Sequence, residues 1–180
     1  MPEIVIRPAA AEDIHSLIEL DHTTMTEFVW QMEFHHDRDL GQVGVSFRKV
    51  RLPRAVRHDY PRSASTLVDD WQLFSGMLVA TITDNPVGYV SLVRDRITHA
   101  TWITDLVVHK PVRRQGIGTA LLLSGAEYAA NNDSHDIVLE MHPRNGPAIG
   151  LALKMGFEFC GYNDFYYPGG EIGIFFRKTF

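Results

Sequence analysis

Arg113-Arg114-Gln115-Gly116-Ile117-Gly118-Thr119 is the densest run of chemistry-bearing residues in the chain. Glycines at 116 and 118 lack a Cβ, so the backbone can turn tightly and bring several N–H groups against a bulky anion. The run separates a β-rich segment, Ala100 to Val108, from an apolar helical segment, Gly118 to Asn131. Its N–H groups therefore fall at a helix start, where the first turn lacks internal acceptors and carries about half a positive charge. A pyrophosphate suits such a cradle, and Arg113 and Arg114 can add charge-assisted hydrogen bonds. Other nucleotide loops fit worse. The Gly-Lys-Ser/Thr of a Walker A loop is absent, and Leu121 stands where a dinucleotide fingerprint needs a third small residue, although Glu140 lies about 20 residues on. A glycine-bearing loop that only starts a helix is the plain alternative.

The run has company. Arg113-x-x-Gly116-x-Gly118 after Asp105-Leu106-Val107-Val108, with Asn145-x-x-Ala148 and Lys154-x-Gly156-Phe157 downstream, resembles the acetyl-CoA signature of the GCN5-related N-acetyltransferases. The resemblance implies that the strand carrying Leu106, Val107 and Val108 splays from its neighbour and hydrogen-bonds a pantetheine arm. It implies that Arg113, Arg114, Gln115, Gly116, Ile117, Gly118 and Thr119 hold the pyrophosphate of acetyl-CoA, and that Asn145 touches the same molecule. A further resemblance, to streptothricin acetyltransferases, rests on Leu20-Asp21 with Thr26, on Asn145-Gly146-Pro147-Ala148-Ile149, and on Gly156-Phe157-Glu158-Phe159-Cys160-Gly161. It implies an amine acceptor on a cationic small molecule. The Tyr166-Tyr167-Pro168 run resembles protein Nα-acetyltransferases, which implies a peptide acceptor instead, and a non-catalytic acyl-CoA-binding module is a third reading.

Amine attack on a thioester needs a neutral nucleophile, and a lysine-like amine of pKa about 10.4 is neutral about once in ~10³ molecules at pH 7. A proton acceptor follows. The resemblance puts Glu140 in that role, with Asp105 in reserve. Many relatives carry a tyrosine seven residues after the asparagine, but here that position is Ala152. Tyr162, Tyr166 and Tyr167 are substitutes by type, Tyr166 being the candidate acid; late-strand tyrosines are more often packing or substrate-wall residues. His109, His142 and His35-His36 give no three-ligand spacing, so no metal is expected.

Strand and helix signals must position these groups. Glu3 to Arg7 alternates, and Ala11 to Leu20 carries Ile14, Leu17 and Ile18 at helical spacing. Glu27 to His35 and the run Val43, Val45, Phe47 form a hairpin around Asp37 to Gly41, with Phe28, Trp30, Met32 and Phe34 on one face. Leu52 to Ser65 reads as a mobile surface loop whose arginines face solvent, and Trp30 with Glu27 and Glu33 as core or as the border of a cation-binding mouth. Met77 to Thr83, Val87 to Val93 and Ala100 to Val108 are consecutive antiparallel strands. A strand at Ile137 to Met141, a helix near Pro147 to Met155 and strands near Phe157 to Tyr162 and Glu171 to Lys178 complete the chain. The order predicts one α/β domain over residues 1–180, its mixed, mostly antiparallel sheet flanked by helices, with an inserted hairpin and loop at about 27–65.

The 180 residues are 45% hydrophobic, enough for a sizeable core, and the net charge of −5 disfavours an anionic polymer such as nucleic acid. No segment approaches the roughly 20 apolar residues of a membrane span. A single cysteine, Cys160, excludes an intrachain disulfide, so a cytoplasmic location is expected. Homodimers are common among proteins of this resemblance.

Overall fold

The computed structural model describes residues 3–180. In chain order its elements are β1 (Ile4–Pro8), α1 (Ala11–Ile18), β2 (Thr24–Asp37), β3 (Gln42–His58), the short α2 (Leu67–Asp70), β4 (Gly76–Ile82), β5 (Asn85–Asp95), β6 (Ala100–Val108), α3 (Ile117–Asn131), β7 (Asp136–Met141), α4 (Gly146–Lys154), β8 (Glu158–Tyr167) and β9 (Glu171–Thr179). Seven strands form one sheet in the order β1-β4-β5-β6-β7-β9-β8, and β2-β3 form a separate ribbon. Only β6 and β7 run parallel, joined by α3; every other neighbouring pair is antiparallel. This is the mixed α/β sheet that the strand and helix signals predict.

Period-2 alternation sorts the side chains to two cores. On one face Val90, Leu92, Ile103, Ile137, Leu139 and Met141 pack under α3 (Ile117, Leu121, Leu122) and α4 (Ile149, Ala152). On the other, Val79, Tyr89 and Val107 meet Ile14 and Leu17 of α1 and Leu67 of α2. The first turn of α1 is fixed by Asp13, which accepts from the Ala10 N–H at 2.8 Å and pairs with Arg7 at 2.7 Å.

A β-bulge interrupts β6. Ser91 opposes Asp105 while the next residue, Leu92, opposes Ile103, so Thr104 is the extra residue. The count of faces flips there: Ile103 lies in the core under α3, whereas Val107, of the same parity, lies in the core under α1. The same place ends the β6–β7 ladder, whose last pair is Ile103 with Leu139. Beyond it the two strands part.

The β2-β3 ribbon is longer than the alternation predicts, and β3 continues through half of the segment expected to be a loop. Register moves from Thr26↔Val56 to Phe28↔Arg51, which places Leu52 to Ala55 in a bulge opposite Glu27. Pro53 sits in that bulge, where its missing N–H breaks no ladder bond, so it does not end the strand. Trp30 packs edge-on against Phe176 and tilted against Phe159, and Phe47 lies on Phe159 and Tyr162. Trp30 is thus a packing residue, and Glu33 is taken by Arg48 at 2.8 Å. The base of the ribbon is fastened to the β7–α4 corner: the Trp30 N–H donates to Pro143 O at 2.9 Å. A Cβ on Gly146 would sit 2.5 Å from Thr26 Oγ1 and 3.0 Å from Phe28 O.

Gly146→Ala must push the ribbon off α4, so urea unfolding is expected to show a loss of about 1–3 kcal/mol. Gly150→Ala in the same helix meets nothing within 4 Å and is expected to gain about 0.4–1 kcal/mol.

Candidate active site

The parted strands open a cleft lined among others by Thr104, Leu106, Glu140, Met141, Asn145, His58 and His142. His109 N–H donates to Val87 O at 2.7 Å, so the β5–β6 register makes Tyr89↔Val107 and Ser91↔Asp105 hydrogen-bonded pairs. The amide groups of Leu106 and Val108 therefore point away from β5, toward the side where β7 has left. Two arginines cover the ends of that edge. Arg62 Nη1 donates to Thr104 O at 2.9 Å, and Arg113 Nε donates to Val108 O at 2.7 Å. Leu106 lies between them.

Past β6 the chain turns at Arg114 (φ +66°) and Gly116 (φ +88°) into α3. Gly116 is the N-cap in a left-handed conformation, which glycine adopts without a Cβ penalty. The first intrahelical bond runs from the Ala120 N–H to Gly116 O at 2.9 Å. The N–H groups of Ile117, Gly118 and Thr119 thus have no intrahelical acceptor and face out of the positive end of the helix. Arg114 and Gln115 are exposed beside them.

Arg113 departs from its expected use. Its remaining donors go to Thr23 O and Asp21 O, each at 2.6 Å, so the guanidinium braces the loop against the segment after α1 instead of facing a phosphate. Asn145 also has a prior commitment: its Oδ1 caps α4 by accepting from the Ala148 N–H at 3.2 Å. Its amide nitrogen is the part left to face the cleft.

The structure brings Glu140, Asp105 and Tyr166 together. Glu140 lies between Leu139 and Met141 in the alternation and so faces away from α3, as Asp105 does after the bulge; both are 7% exposed. Tyr166 donates to Glu140 Oε2 and Arg62 to Oε1. Tyr60 donates to Asp105 Oδ1 at 2.6 Å. Tyr166 reaches Glu140 because β8 is bulged between Asn163 and Tyr167, with Phe165 at φ +59°. Burial pushes the Glu140 carboxyl up, while Arg62 and the Tyr166 hydrogen bond hold it down. Burial and the Glu140 carboxylate push the Tyr166 hydroxyl well up. A carboxylate with raised proton affinity, reachable from the cleft, can accept a proton from a substrate.

Sequence reading missed Arg62 and Tyr60, which it placed on a solvated loop. Their only signal was composition: an arginine and a tyrosine two apart among polar residues say nothing of the sites they reach, 45 and 78 residues on.

The cleft is also lined by two close imidazoles, His58 and His142, with ring centroids 4.3 Å apart and planes tilted by 36°. His142 Nδ1 accepts from the Arg144 N–H at 3.0 Å, so a neutral ring carries its proton on Nε2, 3.4 Å from Glu171. Burial, with His58 and Arg144 nearby, pushes His142 down to about 3. Burial likewise lowers His58. Among the described residues no three His, Cys, Asp or Glu side chains are grouped to hold a metal ion.

Comparison with known proteins fits this geometry. A family model described as the acetyltransferase (GNAT) family matches residues 46–157. The streptothricin acetyltransferase of Streptomyces lavendulae is 32% identical over 78 residues, which are 41% of this chain and 41% of that one. A crystal structure of nourseothricin acetyltransferase superposes with a TM-score of 0.81 at 23% identity, covering 98% of each chain. A protein of Bacillus anthracis str. Ames described as a streptothricin acetyltransferase, in complex with acetyl coenzyme A, gives 0.74 at 18% identity, covering 99% of this chain and 100% of that one. The last two likenesses are of fold.

The His142 shift predicts a pH dependence of stability. An unfolded histidine near 6.5 takes up a proton that the folded one refuses until about 3, so stability present above 6.5 falls as pH falls between those values. His142→Gln keeps an acceptor for the Arg144 N–H without titrating. Its urea midpoint is expected to fall less between pH 7 and pH 4 than that of the native chain.

Proposed function

The chain belongs to the acetyltransferase (GNAT) family, and from that premise we propose that it transfers the acetyl group of acetyl-CoA to a cationic primary amine. The observation that carries this reading is the parted edge, with Leu106 amide groups facing a cleft between an open helix N-terminus and a buried carboxylate. An amide-bearing pantetheine matches the edge, a pyrophosphate matches the unpartnered N–H groups of Ile117, Gly118 and Thr119, and the Asn145 amide lies along the same wall. The thioester supplies an activated acetyl group.

In this mechanism the chain's residues do four things. Backbone groups of Leu106 to Val108 and the turn at Gln115 to Thr119 hold the co-substrate along the cleft. Glu140 accepts the proton that the amine nitrogen loses as its bond to the acetyl carbon forms and the carbon–sulfur bond breaks. Thiolate, with a pKa near 8.5, can leave without a strong acid, so the alanine at position 152 does not stop turnover. Tyr166, whose hydroxyl donates to Glu140, tunes that carboxylate and is the candidate to supply a proton. Asp105 keeps the same wall negative and attracts the acceptor.

The acceptor class follows from that negative wall. A streptothricin-like molecule bearing several ammonium groups is the finer proposal, supported by the likenesses reported above. Acetyl transfer to a panel of amines, including streptothricin, polyamines and peptides with free N-termini, read by mass spectrometry, tests it. Acetylation of peptide N-termini alone would overturn the small-molecule reading.

At position 118 a Cβ meets Leu151 and Val108 side chains at 3.6 and 3.7 Å, ordinary contacts, so Gly118→Val should fold. Its branched side chain fills the space a phosphate must take. Calorimetry is expected to show acetyl-CoA binding abolished with an unchanged circular dichroism spectrum. Glu140→Gln, nearly isosteric without the charge, is expected to lower kcat at least about a hundredfold near neutral pH with acetyl-CoA affinity little changed. A Glu140→Gln enzyme with near-native turnover from pH 6 to 10 would move the base to Asp105.

A further inference from the structure

Arg62 sits on Asp59 to Ser63, a segment belonging to no strand or helix, yet its guanidinium lies deep in the wall of the site. Its surroundings are those a bound cation seeks. It pairs with the Glu140 carboxylate and donates to Thr104 O at 2.9 Å. Asp105 Oδ1 is 3.9 Å from its Nη1, and the Tyr167 ring centroid is 5.1 Å from its Cζ. Charge-assisted hydrogen bonds and an aromatic face together describe recognition of a guanidinium or ammonium ion. Two carboxylates face one guanidinium, so the chain leaves its own cation cage one charge short of neutral.

The cage also divides the site. A second cleft is lined by Tyr60, Arg62, Asp70, Tyr89, Thr104 and Asp105 among others. Tyr60 and Thr104 line both clefts, Glu140 lines the first, and the Arg62–Glu140 pair spans the partition. The Arg62 side chain is 31% exposed, whereas that of Glu140 is 2% exposed. Arg62 can leave toward solvent, and its departure takes from Glu140 the only opposite charge paired with it among the described residues. A buried carboxylate stripped of its partner is strongly disfavoured, so the guanidinium leaves only when another cation arrives.

We infer that the space filled by the Arg62 guanidinium is the subsite for a cationic group of the acceptor, and that Arg62 is its resident occupant, displaced when the acceptor binds. This deepens the proposed acetyl transfer and rests on it for the word acceptor. The empty site is kept neutral enough to fold without presenting two bare carboxylates, and neutral molecules of similar size are refused because they cannot release Arg62.

Cadaverine, a dication without a guanidinium, is a suitable probe, with 1-pentanol as the neutral control. An occupant that fills the subsite most of the time multiplies apparent affinity by the small fraction of time the subsite is open. Calorimetry is expected to show Arg62→Met binding cadaverine at least about tenfold more tightly than the native chain, Arg62→Lys within about threefold of it, and Arg62→Met/Glu140→Gln without the gain. Equal affinity in native and folded Arg62→Met protein would overturn the inference. If Arg62→Met does not fold, the native chain decides: modification of Arg62 by phenylglyoxal, followed by mass spectrometry, is expected to rise with cadaverine and not with pentanol. Unchanged Arg62 modification at saturating cadaverine would also overturn it. Failure of acetyl transfer to every amine in the panel would reject the proposed reaction while these binding results stood.

Discussion

A strand edge left unpaired inside the molecule is the constraint on which everything else depends. β6 and β7 run together for four residue pairs, Ala100 to Ile103 against Asp136 to Leu139, and then part. Each buried amide group without a partner costs about 1–3 kcal/mol, so parting strands need substitutes. The Thr104 bulge starts the parting and turns Asp105 to the face that Glu140 shares. Arg62 and Arg113, from opposite sides, take the carbonyls at the two ends of the exposed edge. What remains without a protein partner is the stretch around Leu106, where the cleft runs. Cleft, carboxylates and arginine contacts are thus consequences of one misalignment of register.

The two walls of the cleft differ in charge by construction. Along one stand Glu140, Asp105 and Arg62, all hydrogen-bonded. The other carries His58 and His142, close together and kept neutral by burial. Two imidazoles at that distance would repel if both were protonated, so the pair stays uncharged at neutral pH, while Glu171, 3.4 Å from His142 Nε2, pairs outward with Arg144.

Elements with strong local signals were legible in the sequence. The strands over Ala100 to Val108 and Ile137 to Met141 and the helix after Gly118 appear within a residue or two of their expected ends, because apolar alternation and helical spacing survive burial intact. The splay itself was implied by resemblance and carried by no local residue pattern: a bulge at Thr104 adds one residue to a run that still looks like a strand. The segment Leu52 to Ser65 misled for a physical reason. Proline and arginine density usually marks a loop, yet a two-stranded ribbon with open edges tolerates Pro53 in a bulge, and β3 persists to His58. The roles of Tyr60 and Arg62 were hidden because long-range partners leave no local pattern. The side-chain use of Arg113 was mistaken similarly: an arginine before a glycine loop suggests a phosphate contact, but its acceptors are carbonyls 90 and 92 residues away.

That last arrangement bears on what the smallest transferable unit of this fold is. The span matched by the family model starts at residue 46, whereas two of the three carbonyls holding the Arg113 guanidinium belong to Asp21 and Thr23. The shape of the anion cradle is therefore not a private property of the turn and helix that form it. Excised with its strand and helix and grafted elsewhere, the loop would carry its glycines but only one of the three acceptors of Arg113, the carbonyl of Val108. A crossover between the segment after α1 and the loop would remove two of the acceptors that steady Arg113 without touching a residue of the loop itself.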